Sequence, residues 1–133
     1  MTMPDPTYLA FDLGASSGRA VLGTLGAGGM AMEEVHRFPT PVVERDGHLF
    51  WDLDALWEDL QTGLRAALEA SPRLRSLSVD SWAVDYVPLD AGGVPVRLPY
   101  CYRDARTHGV MERAFETCPP AALYQRTGIQ VLP

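Results

Sequence analysis

One short stretch near the N-terminus indicates how this chain folds: Phe11-Asp12-Leu13-Gly14-Ala15-Ser16-Ser17-Gly18-Arg19. Apolar runs of strand type flank it, at residues 8–11 and 20–25, and the composition between them switches to glycine, serine and one carboxylate. This switch predicts a turn that joins two antiparallel strands. Gly14 and Gly18 are expected to let the backbone turn tightly and to bring its N–H groups close to a ligand.

The side chains of this turn favour a polyphosphate ligand. Ser16 and Ser17 supply hydroxyl donors, and Arg19 supplies a planar cationic fork that suits phosphate oxygens. Backbone N–H groups in turns of this kind form a concave anion site. Asp12 is compatible with a bound phosphate when Mg²⁺ lies between them, because Mg²⁺ binds few carboxylates and keeps most of its waters. The turn therefore predicts a phosphate site with hydrated Mg²⁺ beside Asp12.

A plain hairpin turn is the alternative interpretation, because small polar residues dominate turns in any protein. The acid that precedes the turn and the arginine that follows it favour phosphate over this alternative. A dinucleotide-binding turn of the Rossmann type does not fit, since the glycine spacing differs and the next segment is of strand type rather than helical.

Composition limits the partners of the chain. Its 133 residues predict one domain with a modest core. A net charge of −6 opposes non-specific binding to nucleic acid or to acidic membranes. No apolar stretch reaches membrane-spanning length and the N-terminus lacks a signal-peptide pattern, so a cytoplasmic location is expected. Cys101 and Cys118 are expected to be reduced thiols, and neither they nor the scattered histidines match a zinc pattern.

The absence of lysine excludes several activities. All eleven basic residues are arginine. A P-loop nucleotidase and a protein kinase each need a lysine at the phosphates, and Schiff-base chemistry needs an amine. None of these mechanisms can operate with the side chains of this chain.

Beyond the turn, the chain alternates strands with helices. Strands are predicted at residues 30–38, 74–79 and 84–89, a hairpin at 42–50 around Asp46-Gly47, and helices after residue 52, at 106–117 and at 119–128. The strands at each side of the turn and the one at 30–38 make a three-stranded antiparallel meander. Followed by α–β units, this meander predicts an α/β fold with a mixed sheet.

The first helix has the clearest pattern. Asp52 or Asp54 is expected to cap its N-terminus, and Ser71-Pro72 is expected to end it. Its apolar face is predicted to contain Leu56, Trp57, Leu60, Leu64, Ala67 and Leu68. We assign this face to core packing and give it no chemical role.

Several stretches together resemble the FGGY family of carbohydrate kinases, which have an actin-like, ribonuclease H-like ATPase fold. The stretches that carry the resemblance are residues 12–19, His36-Arg37-Phe38, Trp51-Asp52, residues 80–85, residues 102–107 and residues 124–130. They run through essentially the whole chain. The glycine turn alone would indicate only the ATPase superfamily, whereas the segments around Trp82 and Gln130 indicate the family and one branch within it.

The resemblance implies a role for each matching segment. The turn would bind the phosphates of ATP with Mg²⁺ through Asp12, Gly14, Ala15, Ser16, Ser17, Gly18 and Arg19. The segment 81–85 would line the sugar site, with Trp82, Ala83 and Asp85 as substrate residues. Tyr102 and Asp104 lie where related kinases place an aromatic and a polar group near the sugar.

Alternatives accompany the sugar residues. Trp82 could be a core aromatic, although it follows a strand at the edge where ligands of α/β sheets bind. Asp104 and Arg106 could be a surface pair of little energetic value. Ala83 replaces the glycine usual in the family: a left-handed φ there would strain the loop, whereas a negative φ leaves only the bulk of its methyl group.

Kinases of this family have two domains, with ATP and sugar between them. The resemblance therefore implies that residues 1–133 are an incomplete N-terminal kinase domain, and that the catalytic aspartate, the adenosine pocket and the C-terminal domain lie beyond Pro133. Two hypotheses follow. The chain is part of a kinase that phosphorylates a ketose at a primary hydroxyl, or it is a non-catalytic domain of the same fold that retains phosphate or sugar binding.

Overall fold

A four-stranded mixed sheet forms the centre of the structure, a computed structural model that describes residues 5–130. The strands are β1 (Thr7–Leu13), β2 (Ser17–Gly26), β3 (Gly29–Pro39), β4 (Val42–Arg45), β5 (His48–Trp51) and β6 (Leu74–Asp80). The helices are α1 (Leu53–Ala70), a 3₁₀ turn (Ala105–Thr107), α2 (Val110–Thr117) and α3 (Pro120–Thr127). The central sheet has the order β3-β2-β1-β6, and β4 pairs with β5 in a separate hairpin.

The pairing of the central sheet confirms the predicted meander and mixed sheet. β1 and β2 are antiparallel from Thr7↔Thr24 to Leu13↔Gly18, and β3 continues antiparallel beside β2. β6 runs parallel to β1, with Asp12 paired with Asp80. Both parallel strands therefore end at the same edge of the sheet, next to the turn that joins β1 to β2.

Helix α1 covers one face of the meander. The core beneath it contains Leu9, Phe11, Ala20, Leu22 and Ala67. Gly63 lets the helix approach closely, since a Cβ there would lie 2.8 Å from Cε1 of Phe11 and 2.9 Å from Cβ of Ala20. A second buried cluster, which we call the edge cluster, consists of Leu13, Phe38 and Leu56.

The boundaries of α1 are as predicted, and its apolar face is narrower than predicted. Asp52 is the N-cap, and its Oδ1 accepts a hydrogen bond of 3.1 Å from the backbone N–H of Ala55. Leu56, Leu60 and Leu64 pack towards the core. Trp57 is 62% exposed and Leu68 is 45% exposed, so the predicted core role is wrong for Trp57 and only partly fulfilled by Leu68.

Two predictions for the second half of the chain are wrong. Residues 84–89 form no strand; Leu89 makes only an isolated bridge to Pro95. Pro88 has no N–H for a ladder, and Asp85 turns its carboxylate towards Trp51. The helix predicted over 106–117 begins only at Val110, because Gly109 with φ 70° separates the 3₁₀ turn from α2.

The hairpin β4–β5 supports the segment that follows β6. Its turn is Asp46-Gly47, and both residues have positive φ, at 52° and 77°, as a tight two-residue hairpin requires. The backbone of β5 bonds to a later segment through Trp51 N to Pro99 O, at 3.0 Å, and Cys101 N to Leu49 O, at 2.9 Å. This hairpin therefore holds the loop that carries Tyr102 and Asp104.

The cysteines are free, as predicted. Cys101 is fully buried, and burial raises the pKa of its thiol. Within residues 5–130, no helix combines the length and the apolar composition needed to cross a membrane.

Candidate phosphate and sugar site

The turn between β1 and β2 is fixed by backbone and side-chain hydrogen bonds. Gly14 N–H donates to the carbonyl of Ser17 at 3.1 Å. Thr40, which follows β3, donates its hydroxyl to the carbonyl of Gly14 at 2.7 Å and its N–H to the carbonyl of Ser16 at 3.2 Å. Ala15 and Ser16 are exposed at the tip. The turn is therefore a tied, solvent-facing loop and lies at the edge where β1 and β6 end.

The two glycines of the turn serve close packing rather than an unusual backbone. Neither Gly14 nor Gly18 has a positive φ. A Cβ on Gly18 would overlap with Cε2 and Cζ of Phe38, its partner in β3, and a Cβ on Gly14 would lie 2.9 Å from the Ser17 carbonyl oxygen. The turn therefore does not use the left-handed freedom of glycine; the small size of both residues is what its packing requires.

Charged side chains lie on the face of the sheet opposite α1. Arg19 and Asp12 are cross-strand partners and form an ion pair of 2.5 Å, with both side chains a little over 40% exposed. Asp80 lies beside Asp12 in the parallel register. Two carboxylates and a guanidinium thus meet next to the turn.

These side chains determine whether Mg²⁺ can bind beside the turn. Within residues 5–130, no group of three or more histidine, cysteine, aspartate or glutamate side chains converges as a metal cage. Asp12, with Asp80 as its neighbour, supplies hard carboxylate oxygens, which suit Mg²⁺ that keeps its waters and also binds phosphate. The residues present therefore fit Mg²⁺ held mainly through water and a bound phosphate chain.

Trp82 follows the end of β6 and belongs partly to the core. Its ring stacks on that of Trp51, with 4.4 Å between centroids and 11° between planes. It also packs against the edge cluster. The Nε1 atom of Trp82 is buried and has no hydrogen-bond partner within residues 5–130. Trp82 thus packs against the core and also lies at the edge of the sheet.

Trp51 lies among the predicted sugar residues, although no role in the site was predicted for it. It is 2% exposed, and its Nε1 donates to Oδ2 of Asp85 at 2.6 Å. The ring of Tyr102 lies 6.1 Å from that of Trp51. Trp82, Asp85 and Tyr102 therefore surround one buried indole. The sequence feature that could have indicated Trp51 as a site residue is weak, since it is only a tryptophan directly before the helix cap Asp52.

Ala83 has ordinary backbone geometry. Among the described residues other than glycine, only Asp46 has a positive φ. Ala83 therefore carries no left-handed strain, and its exposed methyl group contributes only bulk. Of the two outcomes considered for the replacement of glycine at this position, the structure supports the steric one.

Asp104 is buried and fully engaged, so the interpretation of a surface pair is wrong. It is 1% exposed, and its carboxylate accepts hydrogen bonds from Leu49 N–H at 2.7 Å and Arg106 N–H at 2.9 Å. His48 Nδ1 lies 3.2 Å from both oxygens, whereas Nη1 of Arg106 is 4.0 Å away. Burial opposes ionisation of Asp104, but the two backbone bonds and His48 lower its pKa overall. Asp104 thus ties the loop of Tyr102 to β5.

This network predicts how stability depends on pH. The pKa of Asp104 is lower in the folded chain than in the unfolded chain. The ionised carboxylate therefore contributes fully to the free energy of unfolding above the unfolded pKa, and this contribution is lost as pH falls through the folded pKa. We expect Asp104→Asn to lower the urea midpoint at pH 7, with a gap to the wild type that narrows between about pH 5 and pH 2. Urea titrations at pH 7, 5 and 3 measure this. A gap of constant size would contradict the ionised role, and Asp90→Asn in an exposed turn is the control.

Comparison with known proteins assigns the chain to a family. The sequence pattern for the FGGY family of carbohydrate kinases, N-terminal domain, matches residues 7–133. The chain belongs to the FGGY family. Rhamnulokinases are among its curated relatives, as the segments around Trp82 and Gln130 predicted: the one from Pectobacterium carotovorum is 48% identical over 127 residues and the one from Bacillus subtilis 41% over 126. These alignments cover 94% and 95% of the chain but 26% of each relative, so the chain spans about a quarter of their length.

Solved structures of sugar kinases have the same fold as this chain. Gluconate kinase from Lactobacillus acidophilus matches 94% of the chain with a TM-score of 0.75 at 13% identity. Xylulose kinase from Rhodospirillum rubrum matches 89% of the chain with a TM-score of 0.70 at 18% identity. Each match covers 25% of the solved chain. The expected actin-like α/β fold is confirmed.

Proposed function

We propose that this chain is the N-terminal part of an ATP-dependent kinase that converts L-rhamnulose to L-rhamnulose 1-phosphate. The observation that carries the proposal is the 40–48% identity to rhamnulokinases over 94% of the chain. The arrangement of side chains is consistent with it, because a polar turn and an aromatic cluster meet at the carboxyl edge of the sheet, where α/β folds bind ligands. We propose that the reaction takes place in the cytoplasm, where ATP is available.

The phosphate part of the site is the turn and its neighbours. The exposed tip at Ala15 and Ser16 offers backbone N–H groups, and Ser16 and Ser17 offer hydroxyls to phosphate oxygens. Gly14 and Gly18 keep the loop in contact with Ser17 and Phe38. A phosphate oxygen can compete with Asp12 for the guanidinium of Arg19.

Asp12 orients the metal in this proposal. Mg²⁺, when bound with ATP, supplies charge neutralisation on the transferred phosphoryl group. Asp12 would hold the water shell of this ion, and the ion pair with Arg19 keeps the Asp12 carboxylate beside the turn. The role of this chain is therefore to position phosphates rather than to move a proton.

The sugar part of the site is built around Trp51. Trp82 and Tyr102 present aromatic faces suited to the apolar side of a sugar, and Asp85 presents a carboxylate oxygen to its hydroxyls. Ala83 is exposed beside them and limits how closely a sugar approaches the backbone. Asp104, buried and engaged with β5, positions the loop of Tyr102 and does not contact substrate itself.

The general base that deprotonates the sugar hydroxyl is assigned to a C-terminal domain outside this chain, which is its expected partner. A general base contributes on the order of 10²–10⁴ in rate, so residues 1–133 alone are expected to phosphorylate no sugar. The alternative proposal is a non-catalytic domain of the same fold that retains phosphate or sugar binding.

A chimaera tests the proposal. Residues 1–133 replace the matching quarter of the Bacillus subtilis rhamnulokinase, which is 41% identical over this region. We expect ATP-dependent formation of L-rhamnulose 1-phosphate, measured through ADP release, and a lower rate with xylulose or gluconate. The isolated chain, assayed in parallel, should give none. A folded chimaera that is inactive on rhamnulose would favour the non-catalytic alternative, and preference for another sugar would overturn the substrate assignment.

A further inference from the structure

Strand β3 contains a bulge beside the phosphate turn. In its register with β2, Ala20 pairs with His36 and Val21 pairs with Glu34, so Val35 is an extra residue. Val35 packs against the core under α1, and His36 stacks on Phe38 of the edge cluster. Bulges of this kind redirect side chains and are frequent next to active sites.

The bulge brings together two residues that a regular strand would keep apart. Residues three positions apart in a strand point to opposite faces of the sheet. Because of the extra residue, Glu34 and Arg37 lie on one face, the face of Asp12 and Arg19. Arg37 forms a two-pronged pair with Glu34, from Nε to Oε1 at 2.9 Å and from Nη2 to Oε2 at 2.5 Å.

The third nitrogen of Arg37 reaches the phosphate turn. Its Nη1 donates to Oγ of Ser17 at 3.2 Å. A serine hydroxyl that accepts from arginine keeps its own proton for a different acceptor, and a cationic donor strengthens the bond that this proton makes. Arg37 is also the cross-strand partner of Arg19. Two like charges in such a position repel each other, and here each has its own carboxylate, Glu34 or Asp12.

We infer that Arg37 is a positioning residue for the phosphate chain: held by Glu34, it orients Ser17 so that the hydroxyl donates to a phosphate oxygen at the turn. This inference rests on the proposed phosphate site and adds a residue to it. The hydrogen bond from Arg37 lowers the pKa of Glu34, which favours the ionised carboxylate that holds Arg37. The ligand is a polyphosphate, such as the triphosphate of a nucleotide.

The test is a titration of the ¹⁵N-labelled 133-residue chain with inorganic tripolyphosphate and Mg²⁺, followed by NMR at the amides of residues 14–18. We expect Arg37→Gln to weaken binding, with a dissociation constant about fivefold higher than that of the wild type. The matched control is Arg75→Gln, with the same charge change at the other end of β6. It is expected to bind like the wild type, apart from a small loss that falls as salt is added.

A double-mutant cycle separates positioning from simple charge. If Arg37 acts through Ser17, Arg37→Gln causes no further loss in a Ser17→Ala background, whereas a purely electrostatic role would give additive losses. Arg37→Lys is the second variant should Arg37→Gln disturb the sheet. It keeps the charge but cannot hold Glu34 and Ser17 together, so weaker binding is again expected.

The outcomes distinguish this inference from the proposed function. If the wild type binds tripolyphosphate and Arg37→Gln binds it equally well, the role of Arg37 is overturned and the phosphate site stands. Additive losses in the double-mutant cycle lead to the same conclusion. Wild-type spectra that do not respond to tripolyphosphate at millimolar concentration overturn both.

Discussion

Gly18→Ala is expected to destabilise the chain by about 1–3 kcal/mol, because the added methyl group enters a filled space. A Cβ at this position would overlap with the ring of Phe38, which is 2% exposed and packed in the edge cluster. The ring cannot move without disturbing Leu13 and Leu56. Urea unfolding monitored by circular dichroism measures the change, as a lower midpoint with an unchanged slope.

Gly23→Ala is the matched control in the same strand. A Cβ on Gly23 would meet no atom within 4 Å, and its φ is not positive. This substitution is expected to be neutral or to stabilise the fold by up to about 1 kcal/mol through the unfolded state. Equal losses for the two variants would show that Gly18 is needed for a backbone reason and not for contact with Phe38.

Asp12→Asn is expected to reduce kcat of the active chimaera by about 100-fold or more while KM for the sugar changes little. The substitution removes the charge that we assign to the Mg²⁺ water shell, and metal stabilisation of a transferring phosphoryl group is worth several kcal/mol. Steady-state kinetics with varied Mg²⁺ and varied rhamnulose measure both constants. Excess Mg²⁺ should restore part of the loss.

Asp54→Asn is the control for this experiment, since Asp54 is exposed in the first turn of α1 and makes no ion pair with Arg19. It should leave kcat unchanged. Turnover of Asp12→Asn equal to that of the wild type would remove the metal role. A rise in sugar KM with unchanged kcat would place Asp12 at the sugar instead.

Local patterns predicted the elements whose stability is decided locally. The meander, the Asp46-Gly47 hairpin and the cap at Asp52 each depend on residues within a few positions of one another. The turn at residues 14–16 lies between β1 and β2, as predicted, for the same reason. Backbone freedom is the role that the sequence predicts for its glycines, whereas the structure shows that Gly18 packs against Phe38, a contact 20 residues distant in sequence.

The predictions that are wrong concern residues whose structure depends on contacts with distant parts of the chain. The segment 84–89 has a strand-like composition, but Asp85 is bound by Trp51 from β5, and Pro88 interrupts the ladder. Asp104 resembles an exposed acid in sequence and is buried by a hairpin more than 50 residues earlier. Helical periodicity placed Trp57 in the core, and α1 leaves it in solvent because the helix covers only the meander.

The parallel pair β1–β6 sets an order of folding. β1, β2 and β3 are joined by short turns, so their contacts close small loops, whereas β6 must find β1 after more than 60 intervening residues. Closing a longer loop costs more entropy and slows the step that depends on it. The meander and α1 are therefore expected to assemble first, and β6 to dock last. Since β6 ends beside Asp12 and leads to Trp82, the residues that we propose for the sugar site are expected to become ordered only in that final, slowest step.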